Sequence, residues 1–328
     1  MSATAATRRR LRLTSGGAVA LAALANAAVL AAAALLALER PAQPSWFWLA
    51  VLGAWALAWL AVEALARLRL NHRPSMRAVS LAAPLIFGAT LLFLWEAVAR
   101  GAEVPAVLLP APSAIAARLA ASTDILWADF QQTFLKAVLI GYALGCGAGL
   151  LTALAIDRSP FLKRGLTPVA SLVSALPIIG TAPIMVMWFG FDWPSKAAVV
   201  VLMTFFPMLV NATAGLAAAE AESRDLMRTY AATYGQTLRK LRLPAAVPFI
   251  FNALKINSTL ALIGAIVAEF FGTPTVGMGF RISTEIGRMN VDMVWAEIAV
   301  AALAGSAFYG LMALLERAAS RGRPSARA

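Results

Sequence analysis

Eight stretches of about 20 or more apolar residues run through this chain, at 16–38, 46–66, 78–99, 133–156, 166–190, 197–218, 250–271 and 294–316. Each is long enough to cross about 30 Å of hydrocarbon as a helix. The expected fold class is an all-α polytopic membrane protein with about eight transmembrane helices. Composition agrees. The chain is 61% hydrophobic and 13% charged, whereas a soluble domain carries about 25% charged residues. The fifth stretch is interrupted by Pro168, Pro177 and Pro183. Proline frees backbone carbonyls that protein or water must re-satisfy, which suits either a pathway-lining helix or a kinked packing helix.

The net charge of +12 reads as topology rather than nucleic-acid binding, because the basic residues flank the apolar spans. With both termini in the cytoplasm, 21 of the 28 Lys and Arg residues fall inside and 7 outside. Arg8, Arg9, Arg10 and Arg12 precede an Ala/Leu run of signal-like character. That run is long for a signal sequence and more spans follow it, so it is taken as an uncleaved first helix. One cysteine and one histidine, Cys146 and His72, allow neither an internal disulfide nor a Cys/His metal cluster. Cys146 is expected to be a small packing residue and His72 a surface residue.

Composition shifts near residue 75. The expected organisation is a basic N-terminus with two accessory helices at 1–75, a six-helix core at 76–317 and a basic tail at 318–328. The core carries no phosphate-binding glycine loop and no catalytic constellation, and no cofactor or metal is expected. Gly141, Gly145 and Gly149 have the spacing of close helix packing. Glu63, Glu96, Glu269 and Glu297 stand near helix ends, where a carboxylate either functions or reaches for the interface. A polar translocation path draws on Ser174, Thr181, Asn211, Asn257, Ser258 and Glu269, with helix-to-helix hydrogen bonding as the alternative. Ser171, Thr204 and Thr259 belong to the same set. Lys196 and Arg281 are outer positives that would favour an anion or anchor at the interface.

Residues 220–244 form the longest charge-dense run of the chain, with five basic residues, and the charge count places them in the cytoplasm. Leu226, Tyr230, Tyr234 and Leu238 recur at four-residue spacing after Asp225, an apolar stripe on one helix face. Such a helix docks a partner protein or lies on anionic lipid.

Several patterns occur in a recognisable order. Leu109-Pro-Ala-Pro-Ser113 follows the first core span. Leu176-Pro177, Ala182-Pro183 and Trp188-Phe-Gly190 mark the third. Phe205-Phe-Pro207, Asn211 and Gly215 mark the fourth, and Ala268-Glu269 with Gly277-Met-Gly279 closes the fifth. Residues 78–317 thereby resemble the integral-membrane permease subunit of an ABC importer of the nitrate/sulfonate/taurine type. The segment 220–248 resembles that family's cytoplasmic Glu-Ala-Ala loop, which forms short coupling helices. Counted back from Leu243-Pro244, the family glutamate falls at Asp225, its second alanine at Met227 and its glycine at Ala231; Gly235 lies four residues later.

The resemblance implies a non-catalytic subunit of the bacterial inner membrane that works as a homodimer of permeases enclosing one pathway. It implies a cytoplasmic ABC ATPase and an extracytoplasmic solute-binding protein as partners, alongside membrane lipid. The ATPase would meet Asp225, Leu226, Arg228, Tyr230, Ala231, Tyr234, Gly235, Leu243 and Pro244. The solute would be small and polar: sulfonate-, nitrate- or taurine-like, or a pyrimidine- or vitamin-like heterocycle. The alternative is an ion-coupled secondary transporter, against which stands the lack of a deep ionisable relay and of inverted repeats.

Overall fold

The computed structural model of the chain describes residues 45–67, 73–159, 161–162, 164–165, 178–272 and 275–320. The expected first span, His72, Ser171, Ser174, Pro168, Leu176 and Pro177 lie outside the described residues.

Among the described residues every regular element is helical. The helices are α1 (Ser45–Arg67), α2 (Arg73–Gly101), α3 (Pro112–Ala121), α4 (Thr123–Phe130), α5 (Leu139–Arg158), α6 (Ile178–Phe189), α7 (Trp193–Ala217), α8 (Ala221–Thr229), α9 (Tyr234–Thr237), α10 (Leu243–Glu269), α11 (Met278–Gly287) and α12 (Val291–Ala319). Among the described residues five helical stretches are long and apolar enough to cross a membrane: Pro84–Gly101, Thr123–Arg158, Trp193–Ala217, Tyr234–Glu269 and Val291–Ala319. A 36-residue helical stretch such as Thr123–Arg158 rises about 54 Å, so it extends well past a hydrocarbon core of about 30 Å.

The chain divides into two compact units, Met1–Ala117 and Arg118–Ala328. In the first, α1 packs on α2 through Phe47, Val51, Ala54, Phe93 and Ala97. Glu96 does not simply reach for the interface. Its carboxylate accepts the backbone N–H of Ser113 at 2.9 Å and the Ser113 hydroxyl at 2.7 Å. Ser113 is in the first turn of α3, where free N–H groups favour an anion. Arg100 joins the clasp by donating to Ser113 Oγ at 2.6 Å. The Leu109-Pro-Ala-Pro-Ser113 pattern thus ends in a helix start held by a glutamate.

In the second unit α7 is the central helix, with α5 and α10 against it. Gly141, Gly145 and Gly149 face α7 at backbone contact. A Cβ on Gly141 would stand 2.7 Å from the carbonyl oxygen of Ala197, and one on Gly149 would stand 3.0 Å from Met208 Cβ. A Cβ on Gly147, two residues from both Gly145 and Gly149, would meet no atom within 4 Å. Cys146 is buried on the same helix. Between α4 and α5 the residues Gln131–Val138 form a π-helical segment. Gln132, Thr133 and Phe134 are all buried there, whereas an α-helix spreads three consecutive side chains over most of its circumference. Rings then contact one another in sequence toward α12, the first pair stacked and the next two edge to face. Phe130 lies 5.1 Å from Phe134, Phe134 lies 5.6 Å from Phe308, and Phe308 lies 4.8 Å from Tyr142. Such pairs each contribute roughly 0.5–1.5 kcal/mol beyond area burial.

Candidate functional site: a docking segment and the polar ends of the bundle

The charged run at 220–244 is not the single striped helix that its four-residue spacing predicts. It folds as α8, a turn, α9, a π-helical turn at Leu238–Arg242, and the start of α10. The break falls at Ala231, whose φ is +49°. The Ala231 N–H donates to Arg228 O and the Ala232 N–H to Met227 O, both at 2.9 Å. These two bonds close α8 in the pattern in which a left-handed residue follows the helix, a position usually held by glycine. The next helix starts with a reciprocal cap. Thr233 Oγ1 accepts from the Gln236 N–H, and Gln236 Oε1 accepts from the Thr233 N–H. The periodicity missed the break because alanine is the best helix former, and nothing in its side chain announces a left-handed turn.

The break sends the members of the stripe to different places. Leu226 is 57% exposed and Tyr230 is 77% exposed. Asp225, Arg228, Ala231 and Gly235 are also exposed, and Asp225 pairs with Arg228 at 3.2 Å. No residue of α8 is buried. Tyr234, Leu238, Leu243 and Pro244 are half-buried. The Tyr234 hydroxyl donates to Asp157 Oδ2 at 2.8 Å, at the end of α5. Arg242 donates to both oxygens of Asp157 and, through Nε, to the carbonyl of Leu216 at 3.0 Å. Asp157 stands 85 positions from Arg242, too far in sequence for spacing to reveal the pair.

At the opposite end of α5, α7 and α10 lies a second polar cluster. The buried carboxylate of Asp129 accepts from Arg281 Nε at 2.8 Å and from the Gly277 N–H at 2.6 Å. Glu269 accepts from the Thr133 hydroxyl and from the Gly279 N–H, each at 2.7 Å. The Met278 N–H donates to Thr133 Oγ1 at 2.8 Å. Glu269 and Glu297 are buried rather than reaching for the interface, and Glu297 interacts with Asp129 and Arg281. Gly277 has a φ of +144°, and a Cβ there would lie 2.8 Å from the Glu269 carboxyl. Partial burial alone would lower the pKa of Arg281, but its hydrogen bond and ion pair with Asp129 raise it above the ordinary guanidinium value. Sequence reasoning passed over Asp129 and Thr133, which stand 152 and 145 positions from their partners Arg281 and Met278.

Lys196 and Arg281, expected as outer positives, are both committed to internal partners. Lys196 is buried and donates to the carbonyls of Phe191 and Asp192, and Arg281 is held by Asp129. Asp192 begins α7 by accepting the Trp193 N–H at 2.8 Å, and it accepts from Gln132 Nε2 at 2.6 Å. The Trp193 N–H, then Gln132, hold its carboxyl below the ordinary aspartate value.

The polar residues expected along a path are differently placed. Asn257 is buried between helices and donates to Thr204 O at 2.7 Å and Cys146 Sγ at 3.2 Å. Ser258 is buried and donates to Lys255 O. Thr204 is buried and Thr259 is bonded to Ile256 O. Asn211 is half-buried and donates to Pro207 O at 2.8 Å, and Thr181 is half-buried on α6. Glu269 is brought to Thr133 and Gly279 rather than to these residues.

Residues 141–321 match the family described as binding-protein-dependent transport system inner membrane component. The chain is 32% identical to a probable ABC transporter permease protein of Haemophilus influenzae over 68% of this chain and 90% of the relative. It is 32% identical to the formylaminopyrimidine transport permease protein ThiX of Halalkalibacterium halodurans, over 71% of this chain and 92% of the relative. It is 31% identical to the riboflavin transport system permease protein RibX of Chloroflexus aurantiacus, over 69% and 85%. Nothing in these matches supports an ion-coupled secondary carrier. Membership of such a family implies an ATPase subunit, a solute-binding protein and the membrane as partners, and no chemistry performed by the permease itself. The chain belongs to the binding-protein-dependent transport system inner membrane components, as a permease-type transmembrane subunit of an ABC importer.

Proposed function

We propose that this permease crosses the inner membrane eight times with both termini in the cytoplasm, and that two copies enclose one pathway. Residues 1–75 form the accessory pair, 76–317 the working core and 318–328 a basic tail. The ABC ATPase docks on residues 220–248, chiefly on Asp225, Leu226, Arg228, Tyr230 and Ala231, with Tyr234, Gly235, Leu243 and Pro244 behind them. The observation that carries this reading is α8, a helix with no buried residue that displays Leu226 and Tyr230 beside an exposed Asp225–Arg228 pair. A large exposed apolar pair rimmed by charge suits a protein partner. ATP-driven closure of the ATPase pair moves α8 and switches the pathway between inward-open and outward-open packing.

The cargo is a small polar solute handed over at the outer face by the solute-binding protein. Thr181, Asn211, Asn257, Ser258, Glu269 and Ser174 are the proposed polar positions of the pathway. Commitment of Lys196 and Arg281 to internal partners removes two candidate anion contacts. The names of two relatives refer to formylaminopyrimidine and riboflavin. Both points support a heterocycle over a sulfonate or nitrate anion.

Docking is tested by replacing Asp225 and Tyr230 together with alanine in the assembled transporter. The expected result is normal membrane insertion with ATP hydrolysis uncoupled from uptake; normal uptake by that variant overturns the docking assignment. Mass spectrometry of the solute released from the binding protein that stimulates ATP hydrolysis identifies the cargo.

A further inference from the structure

Arg242 is the residue on which α10 begins, and its guanidinium holds three pieces of chain at once. Nη1 and Nη2 donate to the two oxygens of Asp157 on α5, the first at 2.7 Å, and Nε donates to Leu216 O at the end of α7, at 3.0 Å. Tyr234, in the first turn of α9, donates to the same Asp157 oxygen at 2.8 Å. The Arg158 guanidinium lies 5.3 Å from the centre of the Tyr234 ring. The side chains of Arg242 and Asp157 are only 18% and 10% exposed, so solvent screens the pair weakly. A planar guanidinium presents donors in a fixed fork, which ties orientation as well as distance.

α8 has no buried residue with which to push on the spans directly. A displacement of α8 reaches α7 from one end along residues 218–220, and from its other end it reaches α5 through the Ala231 turn and the capped start of α9, at Tyr234 and Arg242. We propose that Asp157, Tyr234 and Arg242 are positioning residues that form the joint through which movement of α8 passes to α5. This rests on the assignment of 220–248 as the ATPase-docking segment. A fastener that merely held the loop in place would need neither the shared Asp157 nor a second element at Leu216.

The test compares backbone hydrogen exchange in the assembled permease–ATPase complex without nucleotide and after trapping with ATP and orthovanadate, so no solute is required. In the parent complex, trapping should change exchange in residues 221–229 and also in residues 150–158. In Arg242→Ala the change at 221–229 should persist and the change at 150–158 should fall at least two-fold. Arg242→Lys keeps the charge but cannot reach Asp157 and Leu216 O together, and should show an intermediate loss. A purely structural fastener would raise exchange equally in both nucleotide states and leave the difference between them untouched, which overturns the proposal. So does a parent complex that responds at 221–229 but not at 150–158, or an Arg242→Lys complex that matches the parent while Arg242→Ala fails to assemble. A parent complex silent at 221–229 sinks the docking assignment instead, and the joint with it.

Discussion

The backbone N–H of Ala232 reaches back to the carbonyl of Met227 at 2.9 Å and closes α8 over an alanine in left-handed conformation. For an L-residue that conformation costs roughly 1–2 kcal/mol, a strain glycine does not carry. Ala231→Gly is expected to stabilise the folded turn by about 1 kcal/mol after the greater flexibility of unfolded glycine is subtracted. Ala231→Val should act in the opposite direction, because a β-branched side chain tolerates positive φ poorly. Thermal unfolding of the purified subunit in detergent reads both.

Gly145 meets α7 without a cushion: a Cβ there would collide with Thr204 Oγ1 and the backbone of Val201. Gly145→Leu is expected to cost about 1–3 kcal/mol or more, the usual range for overpacking a tight contact. Gly147→Leu, with no atom within 4 Å of its added Cβ, should shift stability by no more than about 0.5 kcal/mol apart from helix propensity. Equal melting losses in the two variants would mean that the helix seam is not where the structure has it.

Five of the apolar spans and the exposed charged segment between two of them were legible in the sequence because both rest on local composition: apolar runs of membrane length and a charged interruption. The turn within that interruption was marked only by the resemblance, which puts the family's glycine at Ala231; periodicity did not show it, since alanine favours helix by type yet is left-handed here. Nor were the two polar clusters legible. Asp129 with Arg281, and Asp157 with Arg242, are separated by 152 and 85 positions, and only tertiary packing makes them neighbours. Glu269 was noted in the sequence as one of four carboxylates near span ends, and the structure adds what holds it, the Thr133 hydroxyl and the Gly279 N–H.

Asp129 is fully buried, and Arg281 is its ion-pair partner. Arg281→Ala strands a buried carboxylate and is expected to destabilise the subunit by about 3–5 kcal/mol. Exchanging both residues, as Asp129→Asn with Arg281→Gln, should recover a substantial part of that loss. Arg228→Ala is the control. Its side chain and that of its partner Asp225 are both largely exposed, and exposed pairs contribute about 0–1 kcal/mol.

Glu269 separates two roles by substitution. Glu269→Leu leaves the Gly279 N–H without its acceptor and should cost about 1–3 kcal/mol. Glutamine keeps an acceptor for Gly279 and offers Thr133 Oγ1 a donor, so Glu269→Gln should retain the parent melting temperature within a few degrees. If Glu269 also serves the pathway, Glu269→Gln lowers uptake at unchanged stability. Uptake and melting that both match the parent would confine this residue to holding the turn at Gly277.

The glycine seam between α5 and α7 has a bearing on turnover. Lipid tails are as apolar as leucine, so such a seam is held by dispersion between atoms in contact rather than by expulsion of water. Dispersion falls away within a fraction of an ångström to an ångström, which gives the seam no graded response: it fits, or it is open. Parting the two helices would forfeit that contact at Gly141, Gly145 and Gly149 together, so the packing favours α5 and α7 moving as one strut over sliding past each other.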